Sequence, residues 1–189
     1  MSDGSGCGWV PAGDRFTAAD LGKLPWALVC ELVDGVLVAA PHGGAAQQAV
    51  VLELGFLLRR NSTAQFQVMV SPQYQPTPRT VLQPDALVCH AGQISSGPVN
   101  SAVQLVVEVT SDVTRTIDQT LKKTLYETAG IPAYWLVDPE ARTLTVRELA
   151  QGKYNDPVVI NPTETYETAK PFPLTVVPSD LFPKPQPRV

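Results

Sequence analysis

Histidine and cysteine are scarce in this chain, with 2 and 3 copies in 189 residues. The histidines, His42 and His90, stand in no ligand spacing with a cysteine, which argues against a structural zinc site. Cys7, Cys30 and Cys89 are odd in number and include no CxxC pair, so a disulfide framework is not expected. Cys30 and Cys89 lie in apolar, strand-like contexts and read as small core residues of a reducing compartment. No run approaches the roughly 18 apolar residues of a membrane span. The start, MSDGSGCGWVPAGDRF, has neither the basic end nor the apolar segment of an export signal. A cytoplasmic protein without membrane contact is the expectation. Basic charge is short too: 14 Lys and Arg stand against 18 Asp and Glu, a net −4. That argues mildly against a protein that coats nucleic acid by bulk electrostatics, but not against a local basic patch or a bound metal ion.

What is present is an ordinary globular composition, 44% hydrophobic and 17% charged, on a chain long enough for one sizeable core. The expected organisation is a flexible leader over 1–15, one domain over 16–182 and a loose tail over 183–189. FTAADLGKLP, 16–25, predicts a short helix capped by Thr17 and stopped by Pro25. ALVCELVDGVLVAAP predicts two strands around an Asp34-Gly35 turn. Val50, Leu54, Leu57 and Leu58 recur at helical spacing, ahead of Arg59, Arg60 and Asn61 at a C-terminus. Short proline-punctuated strands follow, then the apolar strand AVQLVVEVT and a helix over 116–129 closed by Gly130 and Pro132. On that helix Ile117, Leu121, Leu125 and Ala129 form the expected inward stripe. AYWLVDPEARTLTVRELAQGKY predicts two strands joined by a turn over 139–142. Of the 18 prolines, 8 fall after residue 150, where PVVI and LTVVP suggest edge strands. Strands with two interleaved helices predict an α/β or α+β fold on one mixed central sheet flanked by helices.

The residues able to carry chemistry are carboxylates in apolar strands. Glu108 sits in VQLVVEV, where an unpaired charge would cost several kcal/mol. Asp85 follows Pro84 directly, at the start of the apolar ALVC. Glu31 shares one strand face with Val29 and Val33. Lys122 borders the predicted stripe, with Asp118 four residues before it. Taken singly, each has an ordinary alternative: a salt-bridged structural glutamate, a Pro-Asp turn, a surface ion pair. Taken together, acids converging in a poorly hydrated place repel one another unless a cation or protons intervene. A hard divalent ion such as Mg²⁺ answers that repulsion, and a nearby lysine suits the orientation of an attacking water.

A Pro-Asp at a strand start, with a glutamate 23 positions on (108 − 85) in the next apolar strand, resembles the PD-(D/E)XK nuclease superfamily. From about Phe16 to Phe182 the chain resembles its Uma-type, restriction endonuclease-like branch. The stretches that carry the likeness are ELVDG, QPDALV, LVVEVTS, DQTLKKTLYETAGIPAYWLVDPEARTLTV and the late KY. The resemblance implies a restriction endonuclease-like core that hydrolyses DNA phosphodiesters with Mg²⁺ or Mn²⁺ and no organic cofactor. It implies Asp85 and Glu108 as metal ligands, joined by the Val109 carbonyl, Glu31 as an accessory acid and Lys122 as the catalytic lysine. The superfamily's usual lysine, two residues after the glutamate, is Thr110 here, and the pattern D-x-x-x-K-x-x-x-Y selects Lys122 over Lys123. One such site cuts one strand, so a two-fold homodimer is the expected form on duplex DNA. Arg115, Lys123 and Arg79, with Arg59 and Arg60, are candidate phosphate contacts.

Two departures favour a second reading, a non-catalytic interaction or regulatory protein that keeps the fold. Val36 stands where the branch usually has a second acid, and Gln47 where it often has histidine, with His42 a possible substitute in space. A carboxylate pair acting on a glycoside is a third; it needs carboxyls roughly 5–9.5 Å apart in a sugar-sized cleft, and nothing in the sequence supplies its aromatic platform.

Overall fold

Thr17 starts the first ordered element of the computed structural model, which describes residues 15–21, 23, 30–39, 43–93, 96–100, 102–112 and 114–182. Its N–H and hydroxyl both donate to Asp20 Oδ2, at 2.9 and 2.7 Å, and the four-residue helix α1 (Ala18–Leu21) follows. Asp34 and Gly35 take φ of +45° and +81°, the geometry of a type I′ turn, and fold β1 (Cys30–Val33) onto β2 (Val36–Ala39). The expected leader and tail lie outside the described residues except at Arg15, whose guanidinium pairs with Asp34 on that turn. Cys7, Pro25 and His42 also lie outside them.

Helix α2 (Ala45–Asn61) is the long helix the spacing predicts; Val50, Val51, Leu54, Gly55 and Leu58 form its buried side. Next come β3 (Phe66–Val70), β4 (Tyr74–Thr77), β5 (Thr80–Leu82), β6 (Ala86–His90) and β7 (Val103–Val109). The helical segment 115–128 is not one regular helix. It runs from α3 (Arg115–Ile117) through a π turn (Asp118–Lys122) into α4 (Lys123–Thr128). Gly130, at φ +74°, ends it as a C′ glycine: Gly130 N–H donates to the Glu127 carbonyl and Ile131 N–H to that of Tyr126. Then follow β8 (Ala133–Asp138), β9 (Thr143–Ala150), β10 (Lys153–Tyr154), β11 (Val158–Ile160), β12 (Tyr166–Thr168) and β13 (Leu174–Val176).

These strands make a mixed sheet in the order β10-β9-β8-β7-β6-β3, with β11 also paired to β9, and a smaller sheet in the order β2-β1-β5-β4. β7 and β8 are parallel, joined through the 115–128 crossover, while the other pairs between strands of the large sheet are antiparallel. This parallel centre explains why β7 and β8 read as almost unbroken apolar runs: both faces are covered. One face packs Leu105, Val107 and Val109 with α2 and the β12–β13 hairpin. The other packs Val106 with Tyr74, Tyr126, Tyr134 and Tyr154. No helix among the described residues is long and apolar enough to cross a membrane.

One expectation is overturned in part. Of the expected inward stripe of the 115–128 segment, Leu125 packs half-buried on the core and Ile117 is half-buried, but the other two members face out. Leu121 is 38% exposed and Ala129 is exposed as well, while Asp118, Lys122 and Tyr126 are buried. The segment is rotated by one residue from the hydrophobic reading. Its polar side chains go inward because three of the strands beneath them present acids and hydroxyls.

Candidate active site

The site begins with register. Ala86 pairs with Val107 across the antiparallel β6–β7 ladder, and one further step sets Asp85 opposite Glu108. Opposed residues of such a pair present their side chains on the same face. Asp85 is held by its neighbours: Oδ2 accepts the Val109 N–H at 2.7 Å, and its own carbonyl accepts the Ser71 N–H at 2.9 Å. Glu31 arrives from the other sheet, on β1, which pairs with β5 through Leu32 and Val81. Its Oε1 accepts the Gln83 N–H at 2.7 Å, so the backbone just before Pro84-Asp85 ties the two sheets together.

Lys122 joins these acids. Its Nζ lies 3.0 Å from Glu108 Oε1, 3.0 Å from Glu31 Oε1 and 3.8 Å from Asp118 Oδ1. Tyr126, one helical turn on, donates its hydroxyl to the same Glu108 Oε1 at 2.7 Å. Glu31, Glu108, Asp118 and Lys122 are all buried, at 4%, 3%, 2% and 8% exposure. The π turn beneath them is anchored by Tyr134, whose hydroxyl donates to the Asp118 carbonyl at 2.9 Å.

Charge does not balance here. Four carboxyls (Glu31, Asp85, Glu108, Asp118) share one ammonium, a formal sum of −4 + 1 = −3. Burial pushes Glu108 up to about 8; Lys122 opposes that rise, while Asp118, Asp85 and Glu31 add to it. Burial likewise lifts Asp85 to about 6, against the Val109 N–H and Lys122, which pull it down. Asp118 is raised by burial as well, and its buried Oδ1 has no hydrogen-bond partner. For Lys122 burial acts downward, yet Glu108, Glu31 and Asp118 outweigh it, and the ammonium is held charged well past its ordinary range.

Hard oxygen donors, two carboxylates and a backbone carbonyl, suit Mg²⁺ or Mn²⁺, which commonly take one or two carboxylates and fill the rest with water and substrate. The orphaned Asp118 oxygen and the −3 sum both fit a site that accepts a divalent cation. Among the described residues no three His, Cys, Asp or Glu side chains group as a metal cage; the donors that the resemblance implies are the Asp85 and Glu108 carboxylates with the Val109 carbonyl. Gln47 now occupies one of these donors: its Nε2 donates to the Val109 carbonyl at 2.6 Å.

All four residues read from the sequence as chemical, Asp85, Glu108, Glu31 and Lys122, thus come together. The expected phosphate contacts do not join them. Arg115 is enclosed by Asp138, Asp112 and Glu140. Lys123 turns away to Glu127 at 2.7 Å and to the Tyr154 ring. Arg79 is exposed on the β4–β5 turn. Sequence reasoning undervalued three residues: Asp118, read as half of a surface pair; Tyr126; and Gln47, read only as a departure. The 118-122-126 spacing was the available signal, since side chains four apart share a helix face. A cleft of about 330 Å³ opens beside Gln47 and Thr110, lined also by Ser111, Arg115 and Asp138.

A mixed sheet flanked by helices, with Asp85 and Glu108 opposed on its β6–β7 pair, is a restriction endonuclease-like arrangement. A family model, Uma2, described as "Putative restriction endonuclease", matches residues 24–178, and the chain belongs to that family. A solved structure from Anabaena variabilis ATCC 29413, described as "a putative nuclease belonging to DUF820", shares the fold with a TM-score of 0.71 and 17% identity, over 88% of this chain and 97% of that one. No curated protein matches the chain.

Proposed function

We propose that the protein is a Mg²⁺- or Mn²⁺-dependent endonuclease that hydrolyses DNA phosphodiesters. The observation that carries this is Lys122, buried and 3.0 Å from both Glu108 and Glu31. Asp85, Glu108 and the Val109 carbonyl would hold the cation, Gln47 swinging off that carbonyl. Bound there, the cation supplies Lewis-acid polarisation of a phosphate oxygen. The chain supplies the rest. Lys122 donates to the attacking water and steadies the negative charge that develops on phosphate. Glu31 fixes the lysine, and Tyr126 fixes the Glu108 carboxyl through Oε1, leaving Oε2 without a hydrogen bond from the described residues. In this reading both act through another side chain and are positioning residues. The proposal includes a two-fold homodimer on duplex DNA, with one site per strand, and action in the cytoplasm, where the buried Cys89 thiol stays reduced. A plasmid-nicking assay with Mg²⁺ or Mn²⁺ tests it: wild type nicks, while Asp85→Ala and Lys122→Ala do not. Nicking that persists in both variants sinks the proposal.

The second reading, a non-catalytic interaction protein, has its own observation. Gln47 caps the Val109 carbonyl, and Val36, in the position where an acid was expected, is 55% exposed with no charge to offer. Calorimetric titration with Mn²⁺ separates the two: heat of binding lost in Asp85→Asn supports the nuclease, and no heat with wild type supports the interaction protein.

A further inference from the structure

Helix α2 is apolar on two opposite sides. Its inner side is buried against the large sheet. Its outer side carries Leu52 and Phe56, 68% and 67% exposed and one turn apart, so their side chains form one patch. Val70, 48% exposed at the end of edge strand β3, borders the same helix: a Cβ built on Gly55 would stand 2.8 Å from its Cγ2. Clustered exposed apolar side chains with a charged surround mark an interaction surface.

We propose that the outer side of α2 packs antiparallel against α2 of a second copy of this chain, about a two-fold axis at Phe56. Charge identifies the occupant. Glu53 stands three residues before Phe56 and Arg59 three residues after it, both exposed. A two-fold axis at Phe56 sets position 56 − n of one helix against 56 + n of the other. Glu53 then meets Arg59 of the second copy, and the symmetry repeats the pair on the other side. Leu52 meets the aliphatic stem of Arg60, and Phe56 meets its own counterpart at the centre, where aromatic anchors contribute most. Among the described residues Glu53 and Arg60 make no ion pair, and the Arg59 guanidinium bonds only Ser62. A different protein would need a matched acid-base pattern of its own, whereas a second copy brings it by symmetry. This surface is built from residues outside the acidic site; it rests on the homodimer of the nuclease reading and gives it an interface, and the mass measurement is read independently of nicking.

Light scattering coupled to gel filtration of the full chain tests the proposal. Wild type is expected at twice the chain mass of 20.3 kDa, and Phe56→Glu at one chain mass with an unchanged circular-dichroism spectrum. Glu53→Arg sets like charges face to face and is expected to raise the dimer dissociation constant at least tenfold; adding Arg59→Glu restores it. These two positions are exposed, so they decide the matter if Phe56→Glu misfolds. A monomeric wild type, a Phe56→Glu dimer, or charge variants without loss and rescue each overturn the proposal.

Discussion

Asp118 and Lys122 stand one turn apart on the buried side of a π turn, with Asp118 Oδ1 3.8 Å from the lysine Nζ and no hydrogen bond to satisfy it. The pair is therefore not the surface couple its spacing suggests. It is the inner end of a network in which one ammonium serves several acids, and the shortfall in positive charge shapes how the protein should respond to metal, mutation and pH.

Removing one of the acids relieves the shortfall. Glu108→Gln keeps the shape and a hydrogen-bonding group for Tyr126 while deleting a carboxyl whose pKa is pushed up to about 8. In metal-free buffer near pH 8 it should raise the stability by about 1–3 kcal/mol, read as a higher Tm. Mn²⁺ should raise the Tm of wild type alone. Equal responses of the two proteins to Mn²⁺ would remove Glu108 from the metal site.

Removing the lysine does the reverse. Lys122→Ala leaves Glu31, Glu108 and Asp118 buried without their shared cation, at a cost of about 3–5 kcal/mol in chemical denaturation. The double variant Lys122→Met, Glu108→Gln should recover part of that loss, since the amide carries no charge to strand. A Lys122→Ala protein as stable as wild type would contradict the network.

Stability should peak in mild acid. Glu108 and Asp85 titrate near 8 and near 6 in the folded chain, against ordinary values of 4.5 and 3.8, so the folded state binds more protons between those limits. Their contribution is fully present below about pH 4 and declines as pH rises to about 8. Glu127 works oppositely: the Lys123 ammonium, the Tyr154 N–H and Lys153 hold it down to about 2 from 4.5. What it contributes is present above about pH 4.5 and is lost as pH falls toward 2. Tm of the metal-free protein should thus rise from pH 8 to about 5 and fall below about 4. Glu108→Gln should flatten the alkaline limb and Glu127→Gln the acidic one.

Two arginines should part company on DNA. Arg79 is exposed and makes no ion pair among the described residues, so Arg79→Ala should lower the slope of log affinity against log salt by about 0.9 if it meets a phosphate. Arg115 is already held by Asp138, Asp112 and Glu140, so Arg115→Ala should leave that slope unchanged and lower the Tm slightly. Fluorescence anisotropy with a labelled duplex over a salt series measures both.

Much of this was legible in the chain. Period-2 and period-3.6 patterns marked the Asp34-Gly35 hairpin, helix α2, the β7 and β8 runs and the Gly130 stop, because each depends on residues within one turn or one strand. The acids were legible for a related reason: a carboxylate inside VQLVVEV or beside Pro84 conflicts with its local surroundings, and such conflicts tend to mark sites. What was not legible was orientation. The apolar residues of 115–128 argued for one helix face, yet Asp118, Lys122 and Tyr126 turned inward, because their partners are on strands far away in sequence.

By itself, the order of residues determined the hairpin at Asp34-Gly35, helix α2, the β7 and β8 runs and three of the acids, Glu31, Asp85 and Glu108, since dihedral preference and hydrophobic period act over a few neighbours. Only the tertiary structure decided that Glu31, on a separate sheet, would share a lysine with Glu108, that Gln47 would cap the Val109 carbonyl, and that Arg115 would be neutralised before it could meet phosphate. Coulomb and hydrogen-bond energies depend on distance in space, and folding alone sets which charges come within a few ångströms of each other.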